Sequence, residues 1–399
     1  MIDTVKKVTI CGGGNAAHVV VPLLKDYGVS VTLYTPFVEE AAIFSADPSS
    51  GGIELVKNSQ TFVTGAADLI TTAPQIAANA DLVLLVLPAF AHGPTLEALS
   101  PFLAEDVLIG AIPARSGFEL QADFYLNLKL AKRTIFCGQT LPWACRIVEP
   151  GRKVKVLGLK EQVGLASVPA GAAPEISAWL SRALKVNFTP MKSSLAVSLG
   201  NIGQVIHPGI MYGLLKNYNN GIWAEDEIPL FYQGVTEEVA DLLETLSAEI
   251  VQIAQLLAQK YSIDTSEVLS VRRWLLDSYN ATIEDKSTLA RAFCTNRSYR
   301  GLKVPVIEVD NGFKPDFKSR YLTEDIPYGL LYSKAVANMI DLPTPHMDRV
   351  IKTAGEWAGN KYFDSCGRLS GPDLAQARIP QNYGINDPLD LVQISRGLK

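Results

Sequence analysis

The stretch Lys6–Ala17 constrains the fold more than any other part of the chain. Val8 to Cys11 is a short apolar run that reads as a buried parallel strand. It ends in Gly12-x-Gly14-x-x-Ala17, and an apolar run with helical character follows from Val19 to Leu24. Strand, glycine turn and helix in that order make the opening unit of a dinucleotide-binding α/β domain. Gly12 permits the tight turn, Gly14 leaves room for a pyrophosphate, and Ala17 lets the helix lie against the strand. The helix start directs its unpaired N–H groups and its positive end at the phosphates. Gly12, Gly14, Asn15, Ala16 and Ala17 are therefore the expected cofactor contacts. The competing reading is a plain glycine turn in an α/β domain.

Downstream, Val29–Tyr34 alternates like a second strand. Nicotinamide enzymes often carry an acid at the end of this strand to hold the adenosine ribose. Here the chain reads Tyr34-Thr35-Pro36-Phe37, with acids only at Glu39 and Glu40 and no arginine suited to a 2′-phosphate. NADH is the expected cofactor, without that usual discriminating residue. Residues 51–72 look like short strands. Leu82 to Leu87 is a buried strand leading into Pro88-Ala89-Phe90-Ala91-His92. In a doubly wound sheet ligands lie at the carboxyl ends of strands, so Pro88, Ala89 and Phe90 are expected beside the cofactor. Val107–Pro113 repeats the pattern and leads to Arg115-Ser-Gly-Phe-Glu119. Thr134–Cys137 leads to Gln139–Arg146, and Lys153–Gly158 and Val163–Val168 look like a closing pair of strands.

From about Ser194 strand signals give way to helical patterns, near 194–217, 236–260, 266–279, 286–295, 325–340 and 346–358. The expected architecture is a Rossmann-type doubly wound α/β domain over residues 1–190, followed by an all-α domain over 191–399.

Composition narrows the function. Of 399 residues 48% are hydrophobic and 19% charged, enough for real cores. A net charge of −5 with no long basic run argues against a nucleic-acid partner. No segment approaches the roughly 18 apolar residues of a membrane helix. Met1–Lys7 runs straight into the first strand, which reads as no signal peptide. Five scattered cysteines form neither a disulfide framework nor a metal-ligand spacing, so a reducing cytoplasm and no bound metal are expected.

Four histidines are available for proton transfer: His18, His92, His207 and His346. On a helix Ser194–Tyr218, spacing puts Gly200, Gly203, Gln204 and His207 on one small, polar face. Pro208 is expected to bend or break that helix. A polar slot with a histidine at a kink is a candidate active-site wall. Equally, such a histidine can simply satisfy a helix carbonyl. A second cluster is Lys318–Pro327, where Arg320 can fork onto a carboxylate and Asp325 can orient a histidine. Asp325 can instead be a helix cap before Ile326-Pro327. His18 and His346 read as helix-start residues, and His92, in a loop at the cofactor edge, as structural or else as a substrate or cofactor contact.

Several segments together resemble a known family. They are Cys11-Gly-Gly-Gly-Asn15, Leu87–His92, Thr140-Leu-Pro-Trp-Ala-Cys-Arg146, Pro229-Leu-Phe-Tyr-Gln-Gly234, Arg320–Pro327 and Pro380-Gln-Asn-Tyr-Gly384. In combination they resemble the invertebrate opine dehydrogenases, the octopine dehydrogenase group, over essentially the whole chain. That resemblance implies a cytoplasmic, often monomeric NADH enzyme with a Rossmann domain and a helical opine domain. Such enzymes condense pyruvate reductively with an amino compound and regenerate NAD+ when glycolysis runs without oxygen. The amino compound is arginine, alanine, glycine, β-alanine or taurine. The resemblance makes His207 the catalytic acid–base, Asp325 its orienting carboxylate and Arg320 a substrate-carboxylate group. Arg115, Gln139, Trp143, Cys145 and Gln204 are the expected substrate-site residues.

Two departures bear on the substrate. Where arginine-using members read Glu-Thr-Leu-Pro-Trp, this chain has Gln139, which offers a guanidinium less than a carboxylate would. Where they read Gln before Ala-Gly-Phe-Glu, it has Arg115, suited to pyruvate's carboxylate or to the acid group of a small amine, or else a solvated helix-start residue. Both lean away from arginine and towards small zwitterions, with taurine first. Other readings are a ketopantoate- or hydroxyacid-type reductase and a non-catalytic NADH sensor. The former commonly carries a helical lysine one turn before an asparagine, and here Val197 stands one turn before Asn201.

Overall fold

Two successive strands and the helix between them set up the first half of the molecule. In the computed structural model β1 (Lys7–Cys11) runs into helix α1 (Asn15–Tyr27) and then β2 (Ser30–Tyr34), parallel to β1 from Lys7↔Ser30 to Cys11↔Tyr34. The structure describes residues 2–45, 51–57, 60–127 and 133–397. The chain divides into one unit of Met1–Ser198 with Leu389–Lys399 and a second of Leu199–Pro388.

In the first unit the chain continues through α2 (Val38–Ser45), β3 (Ile53–Lys57), β4 (Gln60–Gly65), β5 (Leu69–Thr71), α3 (Pro74–Ala77) and β6 (Leu82–Leu85). Next come α4 (Ala89–Leu99), β7 (Leu108–Ala111), α5 (Phe118–Leu126), β8 (Thr134–Gly138), β9 (Trp143–Glu149), β10 (Lys153–Leu159), β11 (Val163–Val168) and β12 (Phe188–Pro190). Eight strands form one sheet in the order β12-β11-β8-β7-β6-β1-β2-β5. Its pairings are parallel except β11 against β8. The chain winds outward from β1 through β2 to β5, then crosses to β6 on the other side of β1. The ligand crevice of such a sheet lies where that direction reverses, at the carboxyl ends of β1 and β6. The central strands are apolar on both faces, with Ile10, Leu33, Leu82, Val83 and Ile109 fully buried, as a sheet covered on both sides requires.

A second sheet, β4-β3-β10-β9, corrects one expectation. Lys153–Gly158 and Val163–Val168 do not pair with each other. β10 pairs in parallel with β3, almost a hundred residues upstream, and β11 joins the large sheet. Strands expected in 51–72 are β3, β4 and β5, with residues 58–59 outside the described set.

The second unit is built mainly of helices. The patterns near 236–260, 266–279, 286–295 and 346–358 appear as Glu237–Tyr261, Val271–Tyr279, Leu289–Cys294 and Pro345–Ala358. A two-stranded ribbon, Val306–Val309 with Gly312–Pro315, lies among them. The single helix expected over 194–217 is interrupted, giving Ser194–Leu199 and Gly203–Leu215. Pro208 sits inside the second piece instead of ending it. At the interruption the Gln204 side chain takes over, with Nε2 donating to the Leu199 carbonyl at 2.9 Å. Gly200 is thereby separated from the face holding Gly203, Gln204 and His207. The long helix Glu237–Tyr261 packs on Gly203–Leu215 at Gly209 and Gly213. A Cβ there would stand 2.5 Å from Leu243 and 2.7 Å from Val239, so glycine permits the contact. Among the described residues no helix is long and apolar enough to cross a membrane.

Candidate active site

The glycine turn of the first unit has the shape a dinucleotide needs. Gly12 has φ +108°, a conformation that glycine adopts without a Cβ penalty. Gly14 caps α1, and a Cβ built there would meet nothing within 4 Å. Open space at that point, in front of a 13-residue helix, is where backbone N–H groups can reach a pyrophosphate. Ala16 and Ala17 are buried, Ala17 fully, which brings the helix close to the strand. The residues present thus fit the group.

Asn15 has a different task for its side chain. Oδ1 accepts from the Ile147 N–H at 2.7 Å, leaving the residue's backbone as its contribution at the helix start. His18 makes a parallel tie. Nδ1 lies 2.9 Å from the Gly14 carbonyl, and Nε2 accepts from the Gly151 N–H at 2.9 Å. That pattern places its proton on Nδ1. Burial pushes its ionisation down, so it braces the turn in the neutral form.

Glu40 was only a distant acid in the sequence. Its carboxyl group lies over the glycine turn, so close that a Cβ on Gly13 would stand 2.4 Å from Cδ. The segment after β6 is helical from Ala89, with Pro88 capping it. Ala89 is buried, whereas Phe90 is 57% exposed and available to a ligand. His92 is fully buried, with Nε2 3.1 Å from the Leu87 carbonyl and its ring edge-on to Phe118.

The expected substrate stretch has both buried and accessible members. Arg115 is half-buried and adopts φ +61° on the turn before α5. Its neighbours are locked. Ser116 donates to the Ser198 carbonyl at 2.7 Å, Gly117 N–H donates to Ser198 Oγ at 2.8 Å, and Ser198 donates to the fully buried Glu119 carboxylate. Gln139 is half-buried, and its Oε1 would lie 3.0 Å from a Cβ on Gly164. Trp143 and Cys145 are core residues, 5% and 3% exposed on β9. Burial pushes the Cys145 thiol up to about 11, so it stays protonated.

Sequence reasoning missed Lys160. Its Nζ donates to the Leu141 carbonyl at 2.8 Å, within the segment that carries Gln139 and Trp143. Burial pushes this ammonium down to about 8, and the positive charge of Arg115 acts in the same direction. Only the three-dimensional proximity of two cations reveals it.

In the second unit the structure joins the two clusters that sequence kept apart. Nδ1 of His207 is 2.7 Å from Oδ2 of Asp325, across 118 residues of chain. The Asp325 side chain is 2% exposed and makes no helix-cap bond, and its carboxylate is turned to the imidazole instead. A π-type turn, Ile326–Leu330, starts at Asp325, with Leu330 N–H donating to the Asp325 carbonyl at 2.9 Å. Such wide turns often occur at functional sites, where they re-aim a side chain. Nε2 of His207 is 3.2 Å from the Tyr232 hydroxyl, and Tyr321 stacks on the imidazole at 4.2 Å between ring centroids. Neither tyrosine was expected at the site.

Arg320 precedes this turn and is 60% exposed. Its Nε donates to Oε2 of the buried Glu324 at 2.8 Å, and its Nη2 reaches the same oxygen. Glu324, absent from the sequence reading, thus holds one edge of the guanidinium. Gln204 is fully buried with both amide ends engaged. Nε2 binds Leu199, and Oε1 accepts from Ser333 at 2.7 Å. It is a structural cross-link beside His207, not an open substrate contact.

Comparison with known proteins agrees in one direction. Residues 190–358 match the family model described as NAD/NADP octopine/nopaline dehydrogenase, alpha-helical domain. Octopine dehydrogenase of Mizuhopecten yessoensis is 38% identical over 95% of this chain and 96% of its own length. Tauropine dehydrogenase of Arabella iricolor is 32% identical over 95% and 98%. A solved octopine dehydrogenase with NADH and L-arginine superposes with a TM-score of 0.89 at 35% identity, covering 98% of each chain.

Proposed function

The chain belongs to the opine dehydrogenases, NAD-dependent oxidoreductases acting on CH–NH bonds, and from that premise we propose that it condenses pyruvate with a small amino compound bearing an acidic group, taurine first, then alanine, glycine or β-alanine. The observation that carries the reaction is the buried Asp325 carboxylate on Nδ1 of His207. It commits Nδ1–H to the carboxylate, so Nε2 is the ring nitrogen that exchanges protons with substrate.

The amine attacks the keto carbon of pyruvate. His207 gives its Nε2 proton to the hydroxyl group of the adduct, which leaves as water, and a protonated imine remains. Asp325 stabilises the charged ring that must exist before this step. Arg320, braced by Glu324 through Nε and Nη2, keeps Nη1 for a substrate carboxylate. NADH, when bound, supplies the hydride that reduces the imine carbon. Gly12, Gly14, Pro88, Ala89, Phe90 and the backbone of Asn15–Ala17 would hold it.

Substrate choice rests on charge. Gln139 replaces a carboxylate with a neutral amide, and Lys160, which donates to Leu141 two residues further on and feels the charge of Arg115, makes the same segment positive. This combination favours a sulfonate or carboxylate over a guanidinium. A second reading, arginine, is favoured by the higher identity to the octopine dehydrogenase than to the tauropine dehydrogenase. We read the protein as a cytoplasmic monomer, in line with the resemblance.

The test of the reaction is His207→Ala. NADH oxidation that requires pyruvate and an amine together should fall by about 100-fold or more, with NADH affinity hardly changed. Near-normal turnover would remove His207 from the mechanism.

A further inference from the structure

We propose that Tyr232 is a positioning residue for His207: its hydroxyl donates to Nε2 of the neutral ring and accepts from Nε2–H when the ring carries the proton it delivers. This rests on the reading of His207 as the acid of an opine dehydrogenase.

The argument starts from the backbone. Pro229–Gly234 is pinned on both sides, with Phe231 N–H donating to the Leu302 carbonyl at 2.7 Å and Val304 N–H to the Pro229 carbonyl at 2.9 Å. Gly234 closes the turn so tightly that a Cβ there would lie 2.2 Å from the Leu230 carbonyl oxygen. The Tyr232 ring is then fixed by stacking on Tyr299 at 4.0 Å and by the edge-on Phe231 at 4.8 Å. The hydroxyl at the tip of this firmly held ring is 3.2 Å from Nε2.

Donor and acceptor roles follow. Asp325 is an acceptor, so Nδ1 carries hydrogen and the neutral ring offers a lone pair at Nε2. A neutral phenol can fill that lone pair. Burial holds the Tyr232 hydroxyl well above the usual tyrosine range, with Tyr321, Tyr279 and Asp325 acting the same way, so it keeps its hydrogen. When Nε2 gains a proton, the phenol hydrogen turns to the neighbouring Tyr321 hydroxyl, its hydrogen-bond partner, and the oxygen accepts from the ring. The same hydroxyl therefore serves both states of the histidine, until the adduct hydroxyl takes its place at Nε2 and receives the proton.

Groups facing the imidazole are Asp325 at Nδ1, Tyr232 at Nε2 and Tyr321 across its face, with Phe231 as an apolar wall. Arg320 and Glu324 pair on the turn before Asp325, and Tyr299 and Tyr279 lie behind Tyr232. The helix Glu237–Tyr261 meets the His207 helix through Leu243, Leu246 and Val239.

Removing the hydroxyl costs the charged ring more than the neutral one, because charge-assisted hydrogen bonds are roughly twice as strong. Tyr232→Phe is expected to lower kcat by about tenfold or more, leave both KM values nearly unchanged, and move the alkaline limb of the reductive pH–rate profile to lower pH. A purely structural role would not move that limb. A folded Tyr232→Phe enzyme with unchanged kcat and pH profile overturns the proposal. Should the variant fail to fold, 15N-histidine spectra of the wild-type protein decide, with His207 assigned by its loss in His207→Gln. A neutral ring protonated on Nδ1, with Nε2 accepting a hydrogen bond, supports the proposal. A neutral ring protonated on Nε2 overturns it. Absence of turnover in the wild-type enzyme with any amine would defeat the functional reading, and the spectra would still judge Tyr232.

Discussion

Asp325→Asn tests the heart of the proton-transfer site with almost no change of shape. The wild-type carboxylate is 2% exposed and 2.7 Å from Nδ1. Solvent therefore screens it little, and its whole charge acts on the ring. A hydrogen bond to a charged group contributes about 1.5–3 kcal/mol. At about 1.4 kcal/mol per factor of ten, losing the charge slows proton delivery by about 10- to 150-fold. The amide adds a second penalty. If its NH2 turns to Nδ1, the neutral ring must carry its hydrogen on Nε2, the tautomer opposite to the one the carboxylate imposes. We expect kcat to fall by about 100-fold. Pre-steady-state mixing should show the loss in the step that consumes NADH, while NADH titration by fluorescence and the thermal midpoint stay near wild type. A folded variant retaining more than about half of the wild-type kcat would refute the reasoning, since a lost charge-assisted bond of this kind cannot be that cheap.

Other consequences can be checked separately. Gly14→Val should keep the thermal midpoint, because nothing lies within 4 Å of the new Cβ, yet weaken NADH binding sharply; Gly12→Ala should lower the midpoint through its φ of +108°. Gln139→Glu should raise kcat/KM for arginine relative to taurine, measured in paired NADH-oxidation assays. Lys160 is charged below about pH 8 and neutral above it. The KM for an acidic amine should therefore rise as pH passes about 8, and Lys160→Met should abolish that rise while raising KM below it.

How much of this could be read from residues alone depended on how local each feature is. The glycine turn and the β1–α1–β2 unit are contiguous, so their physics is written in one stretch. Most helices of the second unit were equally visible, since an apolar stripe repeats along each one. The pairing of β10 with β3 was not, because neighbouring strands invite pairing and nothing local announces a partner a hundred residues away. The interruption before Gly203 escaped for a related reason. Pro208 was the visible breaker, but the side chain of Gln204 made the break affordable one turn earlier. At the site, His207 and Asp325 were each ambiguous until brought within 2.7 Å. Only the family resemblance linked them in advance. Tyr232, Tyr321 and Glu324 lay inside the segments that carried the resemblance and Lys160 outside them, but none stood out, because ordinary tyrosines and charges acquire their roles from tertiary neighbours. Gln204, Trp143 and Cys145 show the reverse, polar or reactive side chains whose positions are explained by burial and packing.

The most direct test of the central claim is NADH oxidation followed at fixed pyruvate with taurine, alanine, glycine, β-alanine or arginine in turn, with product mass recorded. The account predicts that NADH loss requires pyruvate and an amine together, that the product is the secondary amine of the two, and that kcat/KM is highest for taurine or another small acidic amine. Arginine as the best substrate would contradict the charge argument built on Gln139, Arg115 and Lys160. Absence of turnover with every pair would contradict the proposed reaction itself.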